Sequence, residues 1–204
     1  MRKYLAFALL GILTLMGAGF AALGAVQSSN GIDLGQAVTN TLKASNYSEV
    51  LVQKSPRGNQ TVRVVFQAPD RLSATITAAG RMKYLYIIGT NEYESKIQPV
   101  GAPPPKVFYT QKTTGAVAND PAQTYLRYYN KGPATRNGSV TTVTLPQAGQ
   151  TATLTYTVTG NYVSRFTAAA PGVNYDLAIS AVGSSPPVEL PKGYKITAVI
   201  PSQG

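Results

Sequence analysis

An alternation of apolar and polar residues recurs in short runs along most of this chain and constrains its fold more than any other feature. In the first run, Val62, Val64 and Phe66 alternate with polar Thr61 and Arg63. Successive side chains of a β-strand point to opposite faces, so each run predicts a strand with one apolar face. The predicted runs are residues 62–66, 72–76, 82–88, 152–158, 162–167 and 175–181.

Two short helices are predicted among the strands. Asp33 is a suitable cap for the first, because leucine and valine recur every four residues from 34 to 42. Asp120 followed by Pro121 places a capping residue before a proline at the first helical position of the second. The apolar face of this second helix comprises Ala122, Tyr125, Leu126 and Tyr129.

The order of these elements predicts an α+β domain dominated by antiparallel pairing, because short connections cannot form parallel crossovers. We expect a strongly curved antiparallel sheet that wraps two short helices. Four prolines between residues 98 and 106 predict a loop at the edge or mouth of the sheet, since proline lacks a ladder donor. Two short helices are too small to cover so many one-sided strands, so an apolar hollow is expected between them.

The N-terminus carries an export signal. Arg2 and Lys3 precede residues 5–26, a stretch of 22 residues without a charge. That length suits a cleaved signal peptide or an uncleaved membrane anchor, and both alternatives stay open. The predicted organisation is a signal peptide or anchor at 1–26, a short linker at 27–32 and a globular domain at 33–204. Basic residues before the apolar stretch place the domain outside the cytoplasmic membrane.

The chain contains neither histidine nor cysteine. Their absence excludes imidazole bases, thiol nucleophiles, imidazole or thiolate metal sites and disulfides. Among the eight acidic residues we identify no acid/base pair, and Asp70 and Asp120 have structural roles at a turn and a helix cap. We therefore predict a non-catalytic protein with no cofactor and no metal site.

The formal charge of +10 comes from basic residues that are scattered singly. Without a basic run or an RNA-binding signature, no nucleic-acid partner is predicted. Scattered charge keeps a protein soluble, and it also favours mild attraction to an anionic membrane surface.

Several short motifs resemble those of actinobacterial LprG-like and, more distantly, LolA-like envelope lipoproteins. They are Phe-Gln-Ala-Pro-Asp-Arg-Leu at 66–72, Tyr-Ile-Ile-Gly-Thr-Asn-Glu-Tyr at 86–93, the opening Asp120-Pro121 of a helix, and Gly-Ser-Ser-Pro-Pro-Val at 183–188. The resemblance implies a half-barrel sheet around helices whose cavity holds acyl chains of a lipid or lipoprotein. Members of those families are often anchored by lipid on a cysteine, and the lack of cysteine removes that anchor here.

The resulting expectation is an envelope protein that binds or carries lipid or acyl chains between sheet and helices. Its partners would be an acylated ligand, the outer surface of the cytoplasmic membrane and an envelope protein. The alternative is an extracytoplasmic interaction or sensor module with a filled core. The predicted cavity lining is Val64, Phe66, Leu72, Ile76, Met82, Tyr84, Tyr86, Ile88, Tyr125 and Tyr129.

Because Arg2 and Lys3 set the orientation of residues 5–26, we expect a reporter fused after Gly204 to be active only if it functions outside the cytoplasm. Paired fusions to a periplasmic-type and a cytoplasmic-type reporter measure this directly. Activity confined to the cytoplasmic reporter would contradict the assignment.

Overall fold

The computed structural model describes residues 33–147 and 150–197. The predicted export segment at 1–26 and the linker at 27–32 lie outside the described residues. Across the two described ranges, no helix combines the length and the apolar character that a membrane crossing requires.

The described chain is mostly β-structure with a few short helices. The helices are α1 Leu34–Leu42, α2 Ala116–Asn119 and α3 Pro121–Tyr125, which continues as a 3-10 turn at Leu126–Tyr128. The first strands are β1 Asn46–Ser55, β2 Gly58–Gln67, β3 Arg71–Ala78, β4 Arg81–Ile88, β5 Asn91–Ser95, β6 Gln98–Pro99 and β7 Val107–Lys112. The remaining strands are β8 Ala134–Asn137, β9 Val140–Gln147, β10 Gln150–Thr159, β11 Tyr162–Ala170, β12 Val173–Ser180 and β13 Lys195–Thr197.

All the strands belong to one sheet. Its order is β13, β7, β5, β4, β3, β2, β1, β12, β11, β10, β9, β8, with β6 paired beside β4. Every pairing is antiparallel except that of β13 with β7. In the described residues, β13 and β8 end the order without pairing to each other, so the sheet is not closed. The predicted antiparallel sheet with short helices is confirmed, and its strong curvature around the helices stays a prediction.

Strand register sorts the side chains onto two faces. Tyr47 pairs with Phe66, and Leu51 pairs with Val62, so these side chains share a face. The same face continues onto β3, where Leu72 lies opposite Phe66. We call this the inner face, because its residues are buried in one cluster with those of the helices. The opposite side is the outer face.

The predicted helices form, with differences at their ends. Asp33 occupies the capping position of α1, but its side chain makes no capping hydrogen bond. The carboxylate of Asp120 does cap α3 and accepts a hydrogen bond from the backbone N–H of Gln123 at 2.9 Å. The predicted second helix is α-helical only to Tyr125, after which the backbone tightens into the 3-10 turn. A further single turn, α2, precedes it.

The C-terminal residues after β12 lie against the outer face. Val188 donates its backbone N–H to Gln67 Oε1 at 3.0 Å, and its carbonyl accepts from Arg71 at 3.2 Å. Ser185 donates its backbone N–H to the side chain of Asn46 at 2.8 Å. The segment therefore runs outward from β1 over β2 and β3, and it reaches the edge of the sheet as β13.

Candidate functional site

The inner face is a continuous apolar layer whose helix cover is uneven. Within the described residues, α1 lies closest to β11 and also approaches β10, and α3 approaches β12. The inner face of β2 to β4 lies outside this group of contacts. We call its apolar part the β2–β4 face, and it comprises Val62, Val64, Phe66, Leu72, Ala74, Ile76, Leu85 and Ile87. On β4, Lys83 takes the next inward position, opposite Ile76.

A pair of buried carboxyls connects the sheet to α3. Glu49 on β1 is 1% exposed and Asp120 is fully buried. Glu49 Oε2 accepts the backbone N–H of Ala122 at 3.1 Å, and Asp120 Oδ2 accepts the Tyr47 hydroxyl at 2.5 Å. The other oxygen of each carboxyl has no separate hydrogen-bond partner among the described residues. We call Glu49 and Asp120 the carboxyl pair.

A proton shared between the two carboxyls explains why the second oxygen of each has no other hydrogen-bond partner. Burial raises the pKa of Glu49 well above its ordinary value, and the neighbouring carboxylate of Asp120 raises it further. Burial also raises the pKa of Asp120, although hydrogen bonds from Tyr47 and Gln123 oppose that rise. Glu49 is therefore the protonated member, and its O–H donates to the Asp120 carboxylate. Two adjacent buried anions would be far more costly.

The carboxyl pair fixes the position of α3. Asp120 caps the helix while Glu49 binds its first turn, so both carboxyls satisfy N–H groups that have no partner inside the helix. The side chain of Gln123 then donates to the carbonyl of Leu42 at the end of α1, at 3.0 Å. One polar network thus joins β1, α1 and α3. Because neither carboxyl is exposed, this arrangement holds structure and presents no acid or base to a substrate.

Aromatic rings fill the space between α3 and the sheet. Tyr125 stacks on Phe166 with ring centroids 5.8 Å apart, and it lies 5.5 Å from Tyr175. Tyr156 packs on Phe166 at 5.1 Å, and its hydroxyl is buried without a partner in the described residues. Burial raises the pKa of Tyr175 to about 12. All these hydroxyls are therefore neutral at physiological pH.

The ten residues predicted to line a cavity do not share one surface. Those on β2 and β3 lie on the inner face, and the two helical tyrosines pack against the same core. Those on β4 point to the outer face, because Leu85 and Ile87 take its inner positions. The inner group is Val64, Phe66, Leu72 and Ile76 with Tyr125 and Tyr129, and the outer group is Met82, Tyr84, Tyr86 and Ile88.

Tyr86 has a structural contact on the outer face. Its ring meets the fully buried Phe108 edge to face, with centroids 5.5 Å apart, and Phe108 meets Tyr194 of the C-terminal segment at 6.3 Å. These rings form a second, smaller apolar cluster on the opposite side of the sheet from the helices. A single cavity between sheet and helices cannot therefore include Tyr86.

A hollow of about 290 Å³ lies on the outer face of β1 to β4. Arg63, Val65, Tyr84 and Tyr86 are among its lining residues. Its volume is just below the range of roughly 300 to 1,000 Å³ that small-molecule sites occupy. It lies on the other side of the sheet from the predicted cavity, and its mixed polar lining does not suit an acyl chain.

The sequence analysis did not foresee the contact between Glu49 and Asp120, which the fold brings together over 71 residues of chain. Because both carboxyls are buried, this contact does not contradict the prediction that the chain has no catalytic acid/base pair. The signal was present in β1, where Glu49 lies at an inward position between Tyr47 and Leu51. Within the described residues, no group of three or more metal-ligating side chains accompanies the pair.

Comparison with known proteins identifies similar structures. No protein-family model matches the chain, and no curated protein sequence matches it. Its fold is similar to that of LprF from Mycobacterium bovis, at 13% identity and a TM-score of 0.44, covering 79% of this chain and 95% of LprF. It is also similar to the Mycobacterium tuberculosis lipoprotein LppX, at 12% identity and a TM-score of 0.45, covering 76% and 96%. These neighbours belong to the family group that the sequence resemblance indicated.

The carboxyl pair predicts an unusual dependence of stability on pH. Since the folded protein holds the Glu49 proton more tightly than the unfolded chain, the contribution of Glu49 to stability is greatest below its ordinary pKa of 4.5 and is lost as pH rises through the raised value. Glu49→Gln replaces the O–H donor with an N–H donor and removes this titration. We expect its melting temperature, measured by circular dichroism, to increase relative to that of the wild type as pH rises.

The matched variant Glu49→Leu keeps the site uncharged but leaves Asp120 and the Ala122 N–H without their partner. It should lose about 1 to 3 kcal/mol of unfolding free energy at every pH. Equal melting curves for Glu49→Gln and Glu49→Leu, or a wild-type stability that rises with pH in parallel with Glu49→Gln, would contradict the shared proton.

Proposed function

We propose that this chain is a non-catalytic protein of the cell envelope that binds an acyl chain of a lipid or lipoprotein between the β2–β4 face and the helices. The observation that carries the proposal is the composition of that face. Eight inward positions on β2, β3 and the second half of β4 are apolar, and the closest helix contacts lie instead over β10 to β12. An acyl chain is the kind of ligand that such a surface suits.

The energetics of burial support this ligand. Removing a CH₂ group from water contributes about 0.8 kcal/mol, so a long acyl chain offsets the cost of association without any charged contact. The charged side chain at an inward position of β4 is Lys83, which lies opposite Ile76 and is neutralised by its ion pair with Glu94. The carboxyl pair holds α3 at a fixed distance from β1, which would keep the space beside the β2–β4 face from closing.

The leader supports the location. Residues 5–26 would direct the chain out of the cytoplasm, and cleavage there would decide between a secreted and an anchored protein. With no cysteine available for lipidation, the uncleaved segment is the anchor that the sequence offers.

An interaction or sensor module is the second candidate, and the completeness of burial favours it. Phe66 and Leu72 are each almost fully buried, and Ile87 has no exposed surface. A core that is already filled by its own side chains would produce the same burial. The two functions therefore differ in whether space for a ligand exists beside the β2–β4 face.

Two matched substitutions, each replacing a buried alanine with phenylalanine, distinguish the two candidate functions. Ala74 lies on the β2–β4 face, whereas Ala152 lies on β10, one of the strands that α1 contacts, and both are buried. If an acyl chain occupies the space beside Ala74, Ala74→Phe should displace it and leave the melting temperature near that of wild type. Ala152→Phe should instead overpack the core and cost about 1 to 3 kcal/mol of stability.

Lipid content is measured by native mass spectrometry and solvent extraction of protein purified from its own envelope. The acyl-binding proposal requires lipid in wild type, less lipid in Ala74→Phe, and unchanged lipid per folded molecule in Ala152→Phe. Lipid-free wild type, together with equal destabilisation by both substitutions, would replace it with the filled-core module.

A further inference from the structure

Exposed apolar side chains concentrate at one corner of the sheet. Among the described residues, six large apolar side chains are exposed, and four of them lie between residues 97 and 107 or on the strand beside that segment. They are Ile97 at 41%, Val100 at 54%, Val107 at 41% and Ile196 at 49% exposed. Scattered exposed apolar residues need no explanation, but a concentration of this kind marks an interaction surface.

Backbone pairing brings the ends of these segments to one corner of the sheet. Ser95 pairs with Phe108 and Lys195 pairs with Val107, so the end of β5 and the start of β13 flank the start of β7. The intervening loop is tied to the β3–β4 turn, because Val100 donates its N–H to the carbonyl of Gly80 at 3.0 Å. Ile196 pairs with Phe108, so its side chain lies on the opposite face of the strands from that of Val107. We call residues 96–107, together with Lys195, the proline-loop surface.

The loop is held in shape before it meets a partner. Pro99, Pro103, Pro104 and Pro105 restrict its backbone angles, which lowers the entropy lost when the loop binds. The Gln98 side chain donates to the carbonyl of Pro103 at 3.1 Å and closes the loop on itself. Val100 is thus presented outward on a restrained backbone.

The charge around this surface has one sign. Arg81, Lys96, Lys106 and Lys195 are all exposed there. No acidic residue occurs between 96 and 107 or between 190 and 197, and nearby Glu94 is paired with Lys83. Exposed apolar side chains within a rim of lysine and arginine complement a surface that is negatively charged and apolar beneath.

We propose that the proline-loop surface docks on an anionic lipid bilayer, with Ile97, Val100 and Val107 entering the headgroup region and Lys96 and Lys106 meeting lipid phosphates. Apolar insertion and attraction of basic residues to anionic lipid are the two terms that hold interfacial proteins on membranes. The proposal is independent of acyl-chain binding, because the protein has the same surface when no lipid is bound.

A site-specific probe tests this in the full chain. Since the protein has no cysteine, Val100→Cys accepts a single polarity-sensitive fluorophore. The control is Val117→Cys on α2, which is similarly exposed at 40% and lies near the opposite end of β4. With phosphatidylglycerol-containing vesicles, we expect a blue shift for the probe at 100 and none at 117. Membrane binding through residues 1–32 alone would affect the fluorophores at 100 and 117 equally.

Charge reversal supplies the second arm. In the labelled Val100→Cys protein, Lys96→Glu with Lys106→Glu should lower the ratio of membrane-bound to unbound loop by at least roughly 30-fold, because it removes two attractions and adds two repulsions. Lys43→Glu with Lys131→Glu changes the net charge equally at exposed positions outside the surface, and it should leave the ratio close to its original value because distant charges are screened.

Three results would overturn the proposal. The first is a probe at 100 that stays in water on anionic vesicles, and the second is an equal effect of the two charge reversals. The third is a blue shift produced by envelope protein extract but not by vesicles, which would assign the surface to a protein partner. Circular dichroism of each variant establishes that the measured protein is folded, and lipid extraction of the same samples reports acyl binding separately.

Discussion

The structure depends on covering one apolar face of a large sheet with very little helix. The path from β13 to β8 has twelve strands, whereas the helical pieces are only three to nine residues long. A sheet face left in contact with water would forfeit most of the free energy that its apolar side chains contribute to folding. Each helix must therefore be placed accurately, and the rest of the inner face requires other cover or a ligand.

Accurate placement is achieved with polar groups inside the apolar layer. A helix of five residues such as α3 has almost no stability of its own, so its contacts must hold it. Glu49 and Asp120 do so by satisfying backbone N–H groups at its start, with one proton between them. A buried polar network of this kind is specific in geometry, because every member has a fixed direction for its hydrogen bonds.

Much of the fold could be predicted from the sequence, and the failures have identifiable physical causes. The runs in β2, β3, β10 and β12 showed clear alternation, and Asp120 caps its helix as expected. The strand β4 is apolar on both sides, so alternation could not decide which of its side chains face the helices. In β1, Glu49 points inward while Val50 points outward, which hides the alternation. The α2 helix is a single turn, too short to show a period. The candidate site was less predictable because its contacts connect distant parts of the chain.

The long sequence separation of these contacts also affects the order in which the molecule can fold. The first strand, β1, lies between β2 and β12, so the middle of the sheet stays incomplete until residues near 180 are available. On its side away from β5, β7 is paired within the described ranges by Lys195–Thr197 alone. A chain synthesised from its N-terminus thus cannot finish its sheet early, and premature folding of the first half would leave two open strand edges. Such delayed completion suits a polypeptide that must pass through a narrow pore before it folds.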